Sequence, residues 1–358
     1  MSHNEIVEML TRVWERVLQR SPIGVDDNFF NIGGTAVVAD TMFAEIAQEC
    51  GRELPSATIY HAQTIATLAC VLEQTTLPRF SPFVLMRAGD TMPPVIIVHG
   101  LAGSVQFFEL AKHIKTANPI YGIQAKGVDG MEEPLDRVED MAAFYLESIK
   151  EFQPHGPYML IGYSFGGLVA LEMAQRMHQA GESIALLALV DAYYHPRNLA
   201  WGQYLRLIAR RGRRHISELR KRSTRDAISY LVRGFEHRLH VPIRWIKRRL
   251  GIPGSDKDGD PPEGGSRLSF AHTIPRVKER AYEALDHYEP QGYTGKIKFI
   301  KGQDDSYFPA DPAAVWSTLA AEFEFESVPG GHRDMVTEDF LILAAVLTRF
   351  VNEANGEK

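Results

Sequence analysis

Residues 157–177 set a short apolar run, a glycine-flanked pentapeptide and an amphipathic stretch in immediate succession. Pro157-Tyr158-Met159-Leu160-Ile161 reads as a buried strand, while Leu168, Leu171, Ala174 and Met177 recur at helical spacing over 165–177. Between them stands Gly162-Tyr163-Ser164-Phe165-Gly166. A strand that passes into a helix through so few residues must turn sharply, and the glycines remove the Cβ atoms that would obstruct the turn. Gly166 and Gly167 let the helix start close under the sheet. The Ser164 hydroxyl is then lifted above the strand ends, so this segment alone constrains the chain to helices packed on a sheet.

A serine hydroxyl is a weak nucleophile at neutral pH and needs a base, which in turn needs an orienting acid. The strand–turn–helix context of Gly-x-Ser-x-Gly resembles the nucleophile elbow of α/β-hydrolases, where the chain order is Ser, then Asp or Glu, then His. Among 13 histidines, His332 follows the strand-like run 322–327 and the loop Val328-Pro329-Gly330-Gly331, and is the expected general base. For the acid, Asp191 ends the apolar run 184–190, the pattern of a strand buried in a parallel sheet. A carboxylate at that strand end points into the crevice where ligands bind. Asp304 and Asp305, after the strand-like run 296–301, compete for the role, and also read as a turn-forming pair. The developing oxyanion needs two donors. The N–H of Phe165 is one, and the loop after the strand 95–98 supplies Leu101 N–H, with Ala102 next. His99 precedes Ser164 and is expected to hold that loop through a ring hydrogen bond.

The front of the chain reads as a separate helical unit. Ile6, Met9, Leu10, Val13, Trp14 and Val17-Leu18 recur at helical spacing until Pro22-Ile23-Gly24 interrupts them, and a second helix is expected over 37–50. Between these lies Asp27-Asn28-Phe29-Phe30-Asn31-Ile32-Gly33-Gly34-Thr35-Ala36. It closely resembles the peptidyl carrier domains of nonribosomal peptide synthetases, whose motif is Asp-x-Phe-Phe-x-Leu-Gly-Gly-x-Ser-Leu. In that family the Ser carries 4′-phosphopantetheine, and this chain has Ala36 at that position. A methyl group offers no oxygen for the phosphodiester, so the carrier as written is expected not to be modified. Thr35 lies about 100° round the helix and is no substitute. Two explanations follow: a deliberate Ser→Ala change that keeps the carrier unmodified, which the otherwise intact motif favours, or a degenerate carrier acting only as a docking unit.

The remainder resembles the type I thioesterase domains that end such assembly lines, on residues 83–89, His99-Gly100, Gly162 to Gly167, Val190-Asp191, and Gly331-His332 with Met335. The resemblance strengthens Asp191 as the acid. It implies a small all-α carrier bundle over 1–75, a linker over 76–81, and an α/β-hydrolase over 82–358. The hydrolase is expected to have a mostly parallel sheet with helices on both faces and a helical lid insertion at about 195–290. The linker, with Pro78, has little reach and holds the carrier at a local concentration on the order of millimolar.

Composition bounds the rest. A chain of 358 residues with 45% apolar content fits two domains with a sizeable core, and no apolar run reaches the 18 residues that span a membrane. The start shows no signal-peptide pattern, and Cys50 and Cys70 lack Cys-x-x-Cys spacing, so a reduced, cytoplasmic protein without a metal is expected. Charge is uneven: residues 201–250 carry 15 Lys or Arg against three acids, and residues 1–75 four bases against ten acids. The basic stretch reads either as a docking face for the acidic carrier or a pantetheine phosphate, or as a solvated lid surface. Nucleic-acid binding is disfavoured by the acidity of the rest. Residues 251–267 read as a loop.

The expectation is a monomeric terminal thioesterase with its carrier domain. Upstream synthetase modules would supply a peptidyl thioester, the carrier would dock intramolecularly, and a Ser164 acyl-enzyme would be released by hydrolysis or macrocyclisation. Rival readings are an editing thioesterase, a stand-alone esterase and a non-catalytic docking module.

Overall fold

The computed structural model describes the chain apart from residues 77–78, 104–106, 193, 195–198, 200, 203–204, 206–208, 210–265, 304–310 and 357–358. It falls into two compact units, Met1–His195 with Glu263–Lys358, and Pro196–Pro262. The second lies almost wholly outside the described residues, as do the arginine-rich stretch and most of the expected lid. The architecture that follows is that of the first.

Three helices and one 3₁₀ turn open the chain. Helix α1 (His3–Leu18) starts at a capping box formed by Ser2 and Glu5, and its buried face is Ile6, Met9, Leu10, Val13 and Trp14. Helix α2 (Ala36–Cys50) is capped by Thr35, the 3₁₀ turn spans Ser56–Tyr60, and α3 (Ile65–Glu73) is capped by Thr64. Both α2 and α3 pack on α1. Phe29, from the loop before α2, closes this small core edge-on to Trp14 at 5.2 Å.

The sheet has seven strands in the order β1-β3-β2-β4-β5-β6-β7. They are β1 (Phe83–Arg87), β2 (Val95–Val98), β3 (Ile120–Ile123), β4 (Tyr158–Tyr163), β5 (Ile184–Val190), β6 (Tyr293–Gly302) and β7 (Ala320–Val328). Only β1 runs antiparallel, against β3. Strands β2 and β4 are buried at every position, because helices cover both faces of a parallel sheet. Helix α4 (Phe108–His113) follows β2, α5 (Val138–Lys150) follows β3, and α6 (Gly166–Gln179) follows β4. After the second unit come α7 (Phe270–His287), α8 (Ala313–Trp316), α9 (Asp334–Thr337) and α10 (Phe340–Ala354). The edge strand β7 exposes Glu322 and Glu324, of which Glu324 pairs with Lys296 and Lys298 of β6. Among the described residues no helix is long and apolar enough to cross a membrane.

Register decides where the chemistry can sit. Tyr163 of β4 lies beside Val190 of β5, so these two strands end level, and Val190 lies beside Ile300 of β6, which runs two residues further. The ladder continues one residue further, with Ser164 N–H donating to Val190 O at 2.9 Å and Asp191 N–H to Ile300 O at 2.7 Å. Gly302 of β6 lies beside Val328 of β7, which brings the loop after β7 to the same end.

His99, one residue past β2, is almost wholly buried. Its Nδ1 lies 2.7 Å from Gly100 O, which can only accept, so Nδ1 carries the proton and Nε2 accepts from Tyr145 OH at 2.7 Å. Burial pushes its pKa down from 6.5 to about 4. The unfolded chain therefore binds the extra proton first as pH falls, and the stability this neutral ring contributes is present above about 6.5 and lost towards pH 4. The expected contribution is about 3 kcal/mol. Calorimetry should show the melting temperature of the parent falling more steeply over this range than that of His99→Gln, and parallel slopes would disprove the assignment.

Candidate functional site

The turn at Ser164 works only without side chains on its glycines. A Cβ on Gly162 would lie 2.5 Å from Gly166 O, one on Gly166 would lie 2.2 Å from His99 O, and one on Gly167 would lie 2.3 Å from Ala192 Cβ. Helix α6 thus starts in direct contact with the ends of its neighbouring strands. Ser164 itself has φ 55°, and Asp191 has φ 43°. Non-glycine residues rarely adopt this region, and it persists only where surrounding bonds enforce it. Here the enforcing bonds are the two ladder extensions from Ser164 and Asp191.

Asp191 is fully buried, and its Oδ2 lies 2.5 Å from His332 Nδ1. Its Oδ1 has no hydrogen-bond partner among the described residues. His332 leaves β7 through Gly330, which has φ 87°, and Gly331, whose N–H donates to Asp334 Oδ2 at 3.2 Å. Tyr163 makes two contacts with His332. Its ring stacks on the imidazole at 5.0 Å and 18°, and its hydroxyl donates to His332 O at 2.7 Å. Burial, and then the charge of Asp191, raise the Tyr163 pKa, so it remains a donor. Sequence reasoning treated Tyr163 only as the variable residue of the elbow. Its partner is 169 positions away and leaves no local signal.

Ser164, Asp191 and His332 are therefore gathered at one end of the sheet, with Leu101 and Phe165 on loops at the same end. No hydrogen-bond acceptor among the described residues takes the N–H of Leu101, Ala102 or Phe165, whereas Gly103 N–H closes the first loop onto Gly100 O at 3.1 Å. Asp304 and Asp305 lie outside the described residues. Among the described residues no group of three His, Cys, Asp or Glu is placed to hold a metal ion.

At the carrier position, Ala36 is the first residue of α2. Thr35 Oγ1 serves as the cap, accepting from Val38 N–H at 3.3 Å. Ala36 has no oxygen for a phosphodiester to phosphopantetheine, and Thr35, one position earlier, caps the helix.

Residues 8–71 match the family described as phosphopantetheine attachment site, and residues 93–230 match the thioesterase domain family. Malpibaldin synthetase of Mortierella alpina is 36% identical over 187 residues, 51% of this chain and 3% of that protein. The dimodular nonribosomal peptide synthase of Bacillus subtilis is 37% identical over 191 residues, 52% of this chain and 8% of that protein. The chain thus spans less than a tenth of the length of either relative. A four-domain nonribosomal peptide synthetase bound to AMP and glycine has the same fold over 97% of this chain and 26% of its own, with TM-score 0.54 and 19% identity. A Vlm2 thioesterase domain bound with a dodecadepsipeptide matches 75% of this chain and 97% of its own, with TM-score 0.50 and 19% identity. With a carrier fold followed by an α/β-hydrolase fold, the chain belongs to the peptidyl carrier plus type I thioesterase didomains of nonribosomal peptide synthetases.

Proposed function

We propose that the chain releases acyl or peptidyl groups from pantetheine thioesters through an acyl-enzyme on Ser164. The observation that carries this reading is the 2.5 Å contact of His332 Nδ1 with Asp191 Oδ2 at the strand end next to Ser164. Asp191 fixes the tautomer with the proton on Nδ1, which leaves Nε2 free to take the Ser164 proton as Oγ attacks the thioester carbonyl. The N–H groups of Leu101 and Phe165 receive the oxyanion. Collapse breaks the C–S bond, and the departing sulfur takes the proton back from His332. The base then takes a proton from water or from a nucleophile within the acyl chain as it attacks the ester; the Ser164 Oγ–acyl bond breaks, Oγ takes that proton back, and a free acid, or a macrocycle or macrolactone, leaves.

Because Ala36 offers no oxygen at the attachment position, the thioester is delivered on pantetheine attached elsewhere, and upstream synthetase modules are the proposed source. The same feature favours one second reading, an editing thioesterase that clears short acyl groups from other carriers. Comparing turnover of a short acyl and a peptidyl pantetheine thioester, with products identified by mass spectrometry, separates the two.

Ser164→Ala should remove about a million-fold of turnover, the scale of losing a triad nucleophile, while circular dichroism stays unchanged. Appreciable release by this variant would move the nucleophile elsewhere. Asp191→Asn should lower turnover by about four orders of magnitude by favouring the wrong His332 tautomer. Asp304→Asn and Asp305→Asn should do far less, and the reverse ranking would transfer the acid to the later strand. Incubation with coenzyme A and a phosphopantetheinyl transferase should leave the mass of the chain unchanged, and Ala36→Ser should gain one pantetheine at that residue. Labelling of the unaltered chain would refute this account of the carrier position.

A further inference from the structure

Helix α7 begins without a cap of its own. Ser269 stands at its N-cap position but makes no capping bond, because its hydroxyl donates instead to Ser266 O at 2.8 Å. The first two helical N–H groups are taken by a residue 230 positions earlier: Phe270 N–H donates to Oδ1 of Asp40 at 2.7 Å and Ala271 N–H to Oδ2 at 2.8 Å. Asp40 belongs to α2, in the carrier fold. Pro275 has no N–H to return to the Ala271 carbonyl, so the first turn of α7 is short of internal bonds and leans on this external carboxylate. The negative charge also suits the positive end of the helix. Ser56 N–H, again from the carrier fold, donates to Leu268 O at 3.0 Å and fixes the segment leading into α7.

Further along α7, Val277 meets the loop that follows β2. A Cβ on Gly103 would lie 2.4 Å from Val277 Cγ1 and 2.6 Å from Ala125 Cβ, and Gly103 O accepts from Ala125 N–H at 2.7 Å. The helix capped by Asp40 therefore closes directly on the loop that carries Leu101. A second line of contact starts at Phe30 of the carrier motif, which stacks on Phe108 at 3.9 Å. The neighbouring Phe107 sits edge-on to Tyr163 at 5.5 Å, and Tyr163 holds His332. Carrier residues thus support both the oxyanion loop and the base.

We propose that the carrier fold, with Ala36 at its attachment position, serves as a fixed brace of the thioesterase site, in which Asp40 is a positioning residue for α7 and the Leu101 loop. This inference rests on the reading of Ser164 as nucleophile. A brace acts on the chemical step whatever brings the substrate, whereas a docking site acts only on carrier-borne substrates.

The test uses the full chain and a small uncharged substrate, the hexanoyl thioester of N-acetylcysteamine. Asp40→Ala should lower kcat about tenfold with KM within about twofold, the pattern of a weakened transition-state interaction rather than weakened binding. Asp40→Asn keeps only one of the two accepting oxygens and should recover part of kcat. Amide exchange at Phe270 and Ala271 should speed up in Asp40→Ala and return towards the parent rate at only one of the two in Asp40→Asn. Should Asp40→Ala not fold, Phe30→Leu and Val277→Ala carry the same expectation on kcat. Parental kcat in these variants, a rise in KM alone, or an Asp40→Asn no better than Asp40→Ala overturns the brace. Fluorophosphonate labelling of the unaltered chain separates the two levels: without labelling at Ser164 the thioesterase reading fails as well, and with labelling and unaffected variants only the brace fails.

Discussion

The site depends on the register of three neighbouring parallel strands, β4, β5 and β6. Backbone pairing sets Tyr163 beside Val190 and Val190 beside Ile300, and the two ladder bonds beyond the strands seat Ser164 and Asp191 one step past the sheet. A slip of one residue between β4 and β5 would exchange the faces on which successive side chains lie and separate the two groups. The apolar sequences of β4 and β5 guard against that slip, since both are buried along most of their length. Stability of the core and alignment of the chemistry are one constraint here.

Strain is concentrated where that constraint is tightest. Two of the three non-glycine residues with positive φ among the described residues are Ser164 and Asp191. Each is held by a bond from its own N–H to the next strand, so each conformation is fixed by the sheet rather than by local preference. His332 is positioned differently. It sits on a loop, and receives its orientation from the Asp191 carboxylate on one side and the stacked Tyr163 ring on another.

Much of this was legible in the sequence because its signals are local. The elbow, the apolar run ending at Asp191 and the glycine loop before His332 each lie within a few residues, and strand β5 spans the run 184–190 that its composition indicates. Helix α6 begins at Gly166 and α2 at Ala36, each within one residue of expectation. What sequence reasoning missed is long-range. Asp40 looks like one more acid on an acidic helix, and Ser269 looks like an ordinary cap for α7. Only the fold reveals that Ser269 bonds elsewhere and that Asp40 takes its place. The same holds for Phe30, legible as part of a carrier motif, whose stacking partner Phe108 lies in the other fold. Net charge leaves the arginine-rich stretch with two readings, a docking face or a solvated lid surface, and it lies outside the described residues. Among the described residues, contacts between the two folds include aromatic stacking, a backbone hydrogen bond and a helix cap.

The cap at Asp40 also has a consequence for the order of assembly. Residues 40 and 270 are far apart in sequence, and the region containing the earlier one has its own core built from Trp14, Phe29, Met42 and Leu68. Domains tend to fold as units, the N-terminal one first during synthesis. Helix α7 would then emerge from the ribosome to find its acceptor already in place, and its first turn, weakened by Pro275, would form on a prepared surface. The loop-closure entropy of joining positions so distant is borne by docking two folded bodies, and grows only slowly with the length of chain between them. The carrier fold would in that sense act as a template within the chain for the helix that closes on the loop after β2.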